Sequence, residues 1–154
     1  MNKKLLIQGF SLLEMMVVVV IIGILSAIAI PIYTNHIEKA NITDASTALI
    51  NINQKIAERK LELLNGNLVE GDITTIISKH ANDNSNVSEK YTITAKCDDK
   101  DDSCLNYRIF AEPQSGKGLK KSVWLGSSAG LYICDLTSIE NIKNASENEK
   151  CAKQ

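Results

Sequence analysis

The stretch QGFSLLEMMVVVVIIGILSAIAIPIY, residues 8–33, contains a single charged side chain, Glu14. Residues 10–32 are long enough to span a bilayer as a helix, which requires about 20 apolar residues. A carboxylate at the centre of such a helix costs about 2.5–3.5 kcal/mol on insertion scales, and less near the interface. Because charged residues inside spanning helices usually have a partner and a function, the sequence indicates both for Glu14.

Two ordinary interpretations of this segment leave Glu14 unexplained, and a third concerns Glu14 itself. A cleaved secretory signal would have a shorter apolar core before a small-residue site, which the alanines of ILSAIAIP would supply. A plain signal anchor fits Lys3 and Lys4 before the run and few positive charges after it until Lys39. That charge distribution predicts a cytoplasmic N-terminus and an exported remainder. The third alternative is a Glu14 side chain that reaches the interface without a partner.

The residues on either side of Gly9 resemble the leader and cleavage junction of type IV prepilins, with KKLLIQG followed by FSLLE. The resemblance implies that a prepilin peptidase cuts after Gly9 and methylates the new amine on Phe10. It also implies that Glu14 of one subunit neutralises the amine of its neighbour in the filament core. A buried pair of opposite charges is tolerated, whereas either charge alone is strongly penalised.

This resemblance divides the 154 residues into a cleaved leader at 1–9, a transmembrane and filament-core helix at 10–32, and a globular pilin domain at 33–154. It implies a single pass through the bacterial inner membrane with a cytoplasmic N-terminus, followed by incorporation into an extracellular pilus. The implied partners are the peptidase, the membrane and other pilin subunits in a helical filament. The net charge of −1 gives no indication of a nucleic-acid partner, and we expect no cofactor.

The remaining pattern predicts an α+β fold. Pro31 should stop or kink the helix, because it lacks an N–H and clashes one turn back. A 3.6-residue apolar period nevertheless continues to Asn65-Gly66. One helix over residues 10–64 would be about 80 Å long. Its amphipathic second half should cover one face of a sheet.

Four segments alternate in polarity as strands do: KYTITAKC, CLNYRIFAE, KKSVWLGS and GLYICDL. Their succession predicts a four-stranded antiparallel meander. Residues 65–88, which precede them, should form a loop with one short helix. A long N-terminal helix on such a sheet is the type IV pilin fold that the resemblance implies.

The four cysteines all follow residue 96. An even number in a short exported chain indicates disulfides, and four cysteines allow three connectivities. Cys97 and Cys104 end two facing strands, so a hairpin would bring them to bridging distance. A bridge between Cys134 and Cys151 would close the C-terminal tail, and the resemblance implies this pair as the D-region loop of type IV pilins. A zinc site is the rival, but the paired spacings that such sites use are absent from the sequence.

Other candidate sites are weaker. Within the acidic stretch Asp98–Asp102, Asp99 and Asp101 resemble, with Ser103, the opening of a calcium loop. Counted from Asp99, however, the sixth place lacks glycine and the twelfth is Phe110. We favour a solvated hairpin tip and leave calcium open. GKGLKK, residues 116–121, is a weak nucleic-acid signal without interleaved aromatics. His36 and His80 lack a second ligand at metal spacing, and no catalytic motif occurs in the sequence, so neither a metal site nor an enzyme is predicted.

The segments IPIYTNHIEKA, EKYTITA and SVWLGSSAGLYIC resemble those of minor pilins within this family. That likeness implies a subunit inserted in the filament that promotes bacterial aggregation and adhesion. Its D-region would then meet the D-regions of pili on other cells. The candidate aggregation surface comprises Ile139, Glu140, Lys143 and Glu147.

Three alternative functions remain. They are a major pilin that forms the bulk of the filament, a DNA-uptake pilin, and a type II secretion pseudopilin. The C-terminal disulfide argues against the pseudopilin. The Cys97–Cys104 hairpin is an addition to the minor-pilin pattern.

Overall fold

The computed structural model describes residues 10–63, 67–98, 103–128, 130–139 and 150–154. Several residues singled out above lie outside these ranges, namely Gly9, Asp99, Asp101, Asp102, Glu140, Lys143 and Glu147. The chain divides into two compact units, Met1–Ile37 and Glu38–Gln154. The first helix, α1, is Leu12–Glu62 and contributes to both units.

In the first unit, α1 begins immediately after Ser11. The Ser11 hydroxyl accepts a hydrogen bond from the backbone N–H of Glu14 at 3.2 Å. This is the N-cap arrangement that satisfies one of the free donors at the start of a helix. Ser11 and Glu14 also have the spacing of a capping box, Ser-x-x-Glu.

The helix continues through Pro31, so the expected stop does not occur, and a kink there remains a prediction. Proline removes the hydrogen bond that the carbonyl of Ala27 would otherwise accept. Two hydroxyls nearby donate to helix carbonyls, Ser26 to Ile22 at 2.8 Å and Thr34 to Pro31 at 3.0 Å. The backbone around the proline therefore carries additional polar contacts.

In the second unit, one face of α1 is buried against the sheet. The apolar residues on this face are Ile42, Ala45, Leu49, Ile52 and Ile56. Their three- and four-residue spacing is that of one helix face. Burying each large aliphatic side chain stabilises the fold by about 1.5–3 kcal/mol. The burial of this face confirms the prediction that the second half of the helix packs on the sheet.

The sheet has five antiparallel strands in consecutive order, one more than predicted. They are β1 Tyr91–Cys97, β2 Tyr107–Pro113, β3 Ser122–Gly126, β4 Gly130–Cys134 and β5 Cys151–Lys153. The added strand, β5, has three residues and pairs with β4, with Cys151 opposite Cys134. A three-residue strand is too short to show alternation, which is why the sequence did not reveal it.

Two polar contacts join α1 to the region of the sheet. The hydroxyl of Tyr107 donates to Asn53 Oδ1 at 2.7 Å, and Lys90 Nζ donates to Asn41 Oδ1 at 2.8 Å. Asn41 is a polar residue of α1 and is nevertheless buried. Its amide is tolerated inside because Lys90 satisfies it.

Two helices follow α1 in the sequence before β1, where a single short helix was expected. They are α2 Glu70–His80 and α3 Ser85–Ser88. Ile73 and Ile77 of α2 are buried in the core. Arg59 of α1 reaches Asp72 at 3.3 Å. Hydrogen bonds to Glu62 and Asp72 raise the pKa of Arg59 above its usual value.

Candidate functional site

The first candidate site is the apolar part of α1. Every residue from 10 to 37 is exposed, including Phe10 at 77%. By length and composition this helix could cross a membrane, and none of the apolar window is buried within the chain. A helix that is apolar on all sides is stable when a membrane or other helices cover it. This part of the chain therefore requires an environment that a single subunit in water does not provide.

Glu14 lies near the start of that apolar helix. Its backbone is held by Ser11, while its side chain is exposed. The carboxylate makes no hydrogen bond or ion pair with any other residue in the described ranges. The Ser-x-x-Glu spacing would have revealed the Ser11 cap from the sequence, but our interpretation of Glu14 as a charge partner did not include it.

The second candidate site is the D-region, which we define as residues 134–151. Cys134 and Cys151 form a disulfide, and Cys97 and Cys104 form another, in the pairing expected from the sequence. The backbone N–H of Asp135 also donates to the carbonyl of Lys150 at 2.8 Å. The base of the D-region is therefore fixed to the sheet by a covalent bond and by strand pairing.

The start of the D-region covers the face of the sheet opposite α1. This second core contains Phe110, Trp124, Tyr132, Cys134 and Ile139. The rings of Trp124 and Tyr132 stack with centroids 4.7 Å apart and planes 8° apart. Both faces of β2 are consequently buried, with Phe110 on one face and Ile109 on the other.

Ile139 does not belong to an exposed aggregation surface, and this part of the prediction is wrong. The side chain is 0% exposed and packs in the second core. Its backbone N–H donates to Glu112 Oε1, and the hydroxyl of Ser138 lies 3.2 Å from the same oxygen. The hydroxyl of Ser122 donates to the carbonyl of Leu136. These hydrogen bonds position the backbone around Ile139. Burial of the Ile139 side chain is favourable because it removes apolar surface from water.

At the Cys97–Cys104 hairpin, the carboxylate of Asp98 is engaged by Arg108. Arg108 Nε donates to Asp98 Oδ2 at 2.7 Å, and Nη2 contacts Oδ1, which makes the pair bidentate. The guanidinium carbon also lies 5.6 Å from the centroid of the Phe110 ring. Within the described ranges, no cluster of three metal-ligating side chains occurs.

The two histidines lie apart in the chain. His36 is exposed in the first unit. His80 lies at the end of α2, with Nδ1 2.7 Å from Asp83 Oδ2.

Comparison with known proteins agrees with this geometry. Residues 6–30 match a family model described as the prokaryotic N-terminal methylation motif. The chain is 30% identical over 151 residues to a type IV major fimbrial protein FimA of Dichelobacter nodosus, covering 87% of this chain and 91% of the relative. It is also 60% identical over 37 residues to prepilin peptidase-dependent protein D of Escherichia coli K12, covering 24% and 25% of the two chains.

Many of the other alignments cover a smaller share of the relative. A match to another Dichelobacter nodosus FimA is 39% identical over 72 residues and spans 47% of this chain and 40% of that protein. Among solved structures, the minor type IV pilin PilX of Neisseria meningitidis aligns with a TM-score of 0.51 and 20% identity. That alignment covers 65% of this chain and 84% of PilX. At this level of identity, the alignment shows a similarity of fold only.

The exposed apolar first half of α1, its second half packed on an antiparallel sheet, and the disulfide-closed tail are together the features of a pilin. The chain belongs to the type IV pilin family, whose members are structural pilin subunits. The predicted fold class is thereby confirmed, with a fifth strand added to the sheet.

Proposed function

We propose that the chain is a minor pilin of a type IV pilus, which promotes bacterial aggregation and adhesion. Family membership supports a pilus subunit, and the fold likeness to PilX accords with a minor pilin. The observation that carries the finer proposal is the anchoring of the D-region. Buried Ile139 and disulfide-bonded Cys151 hold its two sides on the sheet. Loops held by a rigid scaffold are frequent binding surfaces.

The proposed binding surface is then the charged stretch between those two anchors, and Ile139 no longer belongs to it. Glu140, Lys143 and Glu147 remain its members, all from residues 140–149 of the sequence. Contacts between such mixed charges are individually weak and gain strength by repetition along a filament. The partner surface is the D-region of pili on other cells.

Processing follows from the N-terminal segment. Cleavage after Gly9 and methylation of Phe10 place a positive amine four residues before Glu14. In the filament, the Glu14 carboxylate of one subunit neutralises the amine of the next, which makes it a device for setting register. Before assembly, residues 10–32 hold the chain in the inner membrane as a single pass, and residues 33–154 form the exported domain.

The cleavage step has a direct test. Gly9→Leu should leave the leader attached while the chain still enters the membrane, because the apolar run follows the cut. The measurement is N-terminal mass spectrometry of the membrane fraction. A mature Phe10 N-terminus in this variant would contradict the assignment of the junction.

The aggregation role is tested by charge reversals at Lys143→Glu and Glu147→Lys. We expect less bacterial clustering at unchanged pilus number, with the larger effect at low ionic strength. Lys79→Glu, at an exposed residue of α2, is the matched control. Normal clustering in the double reversal would leave the D-region as a structural clasp, and loss of pili would indicate an assembly role instead.

A major pilin is the second candidate, favoured by the match over 151 residues to a major fimbrial protein. Abundance in sheared pili separates the two roles. A minor pilin is a small fraction of the filament and its deletion leaves pili on the cell, whereas a major pilin is the bulk component and its deletion removes them.

A further inference from the structure

Strand β5 forms one edge of the sheet. The strands follow one another in order from β1 to β5, so β5 has β4 on one side and no strand of the described ranges on the other. Ala152 and Lys153 are exposed on this strand. The open edge of a sheet presents backbone N–H and C=O groups that can pair with another chain. The edge adjoins the D-region, because Cys151 ends that region and begins β5.

The backbone hydrogen bonds of β5 show which of its groups point outward. The N–H of Asp135 donates to the carbonyl of Lys150 at 2.8 Å, and the N–H of Gln154 donates to the carbonyl of Leu131 at 3.0 Å. In an antiparallel pair, alternate residues of a strand bond to the same neighbour. The even-numbered residues from 150 to 154 therefore direct their backbone groups to β4.

The two odd-numbered residues, Cys151 and Lys153, direct their backbone groups to the outer edge. These groups have no hydrogen-bond partner in the part of the chain that the structure describes. The side chain of Lys153 lies over β4, since a Cβ added to Gly130 would be 3.1 Å from Lys153 Cε. The N–H and C=O of both residues are therefore open to a partner strand.

This pattern of donors and acceptors is complementary to itself. Two β5 strands placed antiparallel about a two-fold axis at Ala152 align Cys151 of each copy with Lys153 of the other. Each such pair exchanges both of its N–H···O bonds. The two Ala152 residues then face each other across the axis with Cα atoms about 4.5 Å apart. A contact of this kind uses the same surface on both subunits, as isologous interfaces do.

We propose that subunits on neighbouring pili bind each other by pairing their β5 edges. The partner is a second copy of this chain, because the outward groups of the edge match those of an identical edge. One such contact is small, and repetition between two filaments increases its strength. The inference rests on the proposed aggregation role, and it names the contact at the base of the D-region that would carry it.

The first test exchanges charges at Ala152. Ala152→Glu alone or Ala152→Lys alone would place like charges opposite each other across the axis, which destabilises a cross-strand pair. Cells of either variant should cluster at least about three-fold less than wild type at unchanged pilus number. A mixture of the two kinds of cell should cluster again, because each glutamate then faces a lysine. Wild-type clustering by either variant alone, or a mixture no better than its components, overturns the pairing.

A substitution at Lys153 separates the backbone from the side chain. Lys153→Pro removes one outward N–H and leaves the bonds to β4 in place, and proline is tolerated on edge strands in this orientation. Lys153→Ala is the matched control, because it keeps the N–H and loses the same charge. We expect reduced clustering for the proline variant only. Equal clustering of the two variants would show that the edge donor has no part in the contact.

A measurement on the wild-type chain depends on no substitution. Amide exchange, resolved to single residues by mass spectrometry, is compared between bundled and dispersed pili. The amides of Cys151 and Lys153 should exchange roughly ten-fold more slowly in bundles, because paired amides open less often. The amides of Ala152 and Gln154 are internal controls, since they already bond to β4. Equal rates at Cys151 and Lys153 in the two samples overturn the inference.

Failure of the pairing is distinguishable from failure of the aggregation role. If deletion of the chain reduces clustering but the exchange rates at Cys151 and Lys153 do not change on bundling, the pairing alone is wrong. If cells lacking the chain cluster as the wild type does, the aggregation role and the pairing are both wrong.

Discussion

The backbone N–H of Ile139 donates a hydrogen bond to the side-chain oxygen of Glu112, 27 residues earlier in β2. This bond holds the start of the D-region over the sheet while the Ile139 side chain enters the second core. The D-region is thus fixed at one side by packing and at the other by a disulfide. The residues of this second core are distinct from those of the core beneath α1, and the first two predictions concern that separation.

Ile139→Ala should lower the free energy of unfolding by about 2–4 kcal/mol, because it removes a buried aliphatic side chain and leaves a cavity. Urea unfolding of the detergent-solubilised chain, monitored by Trp124 fluorescence, measures the change. Ile50→Ala is the matched control, since Ile50 is 41% exposed; its effect should stay within about 0.5 kcal/mol. Equal effects of the two substitutions would show that Ile139 does not anchor the D-region.

Replacing Cys134 and Cys151 by serine should loosen β5 and the tail while α1 remains packed on β1–β3. A disulfide closing a loop of this size contributes about 3 kcal/mol. Hydrogen exchange should therefore rise at residues 151–153 and stay slow at Ile109 and Val123, which are 0% exposed. Uniform loss of protection across the sheet would contradict the separation of the two cores.

The stability of the globular unit should fall at alkaline pH because of Tyr91. Burial, with a smaller contribution from the negative charge of Glu38, raises the pKa of Tyr91 from 10.0 to about 12. Between these values the unfolded chain loses the phenol proton while the folded chain keeps it, so the free energy of unfolding decreases as pH rises. The loss should be roughly 1–3 kcal/mol, from about 1.4 kcal/mol per pKa unit.

Tyr91→Phe should remove most of this alkaline loss, as measured by urea unfolding at a series of pH values. Tyr33→Phe is the control, because Tyr33 is 68% exposed. If Tyr91→Phe keeps the full decline in stability, another group is responsible.

Much of the fold follows from local sequence signals. Helix α1 is predicted by its apolar period, β1–β4 by alternation, and the Cys97–Cys104 bridge by the hairpin that joins two strands. The Cys134–Cys151 pair was expected because it would close the C-terminal tail, and the family likeness supported it. These signals involve neighbouring residues, so a single sequence contains them.

The remaining features depend on contacts between distant residues. The backbone of Ile139 is bonded to Glu112, 27 residues away, and β5 pairs with β4 with Cys151 opposite Cys134. Phe110 is buried by a later segment of the chain, and alternation along its own strand does not reveal that cover. The roles proposed for Gly9 and Glu14 depend on other molecules, so they rest on family likeness and not on the isolated fold.

We propose above that Glu14 occurs in an apolar helix because it neutralises the amine of a neighbouring subunit. Glu14→Leu removes the charge and should insert in the membrane at least as well as the wild type. It should enter filaments poorly, because the buried amine loses its partner. Val18→Leu, at another exposed position of the same helix, controls for a larger side chain.

The most direct test is quantitative mass spectrometry of the subunit in sheared pili relative to the membrane fraction. We expect a ratio at least ten-fold lower for Glu14→Leu than for wild type and Val18→Leu, since losing one partner of a buried ion pair costs about 3–5 kcal/mol. Equal ratios for all three proteins would contradict the proposed role of Glu14.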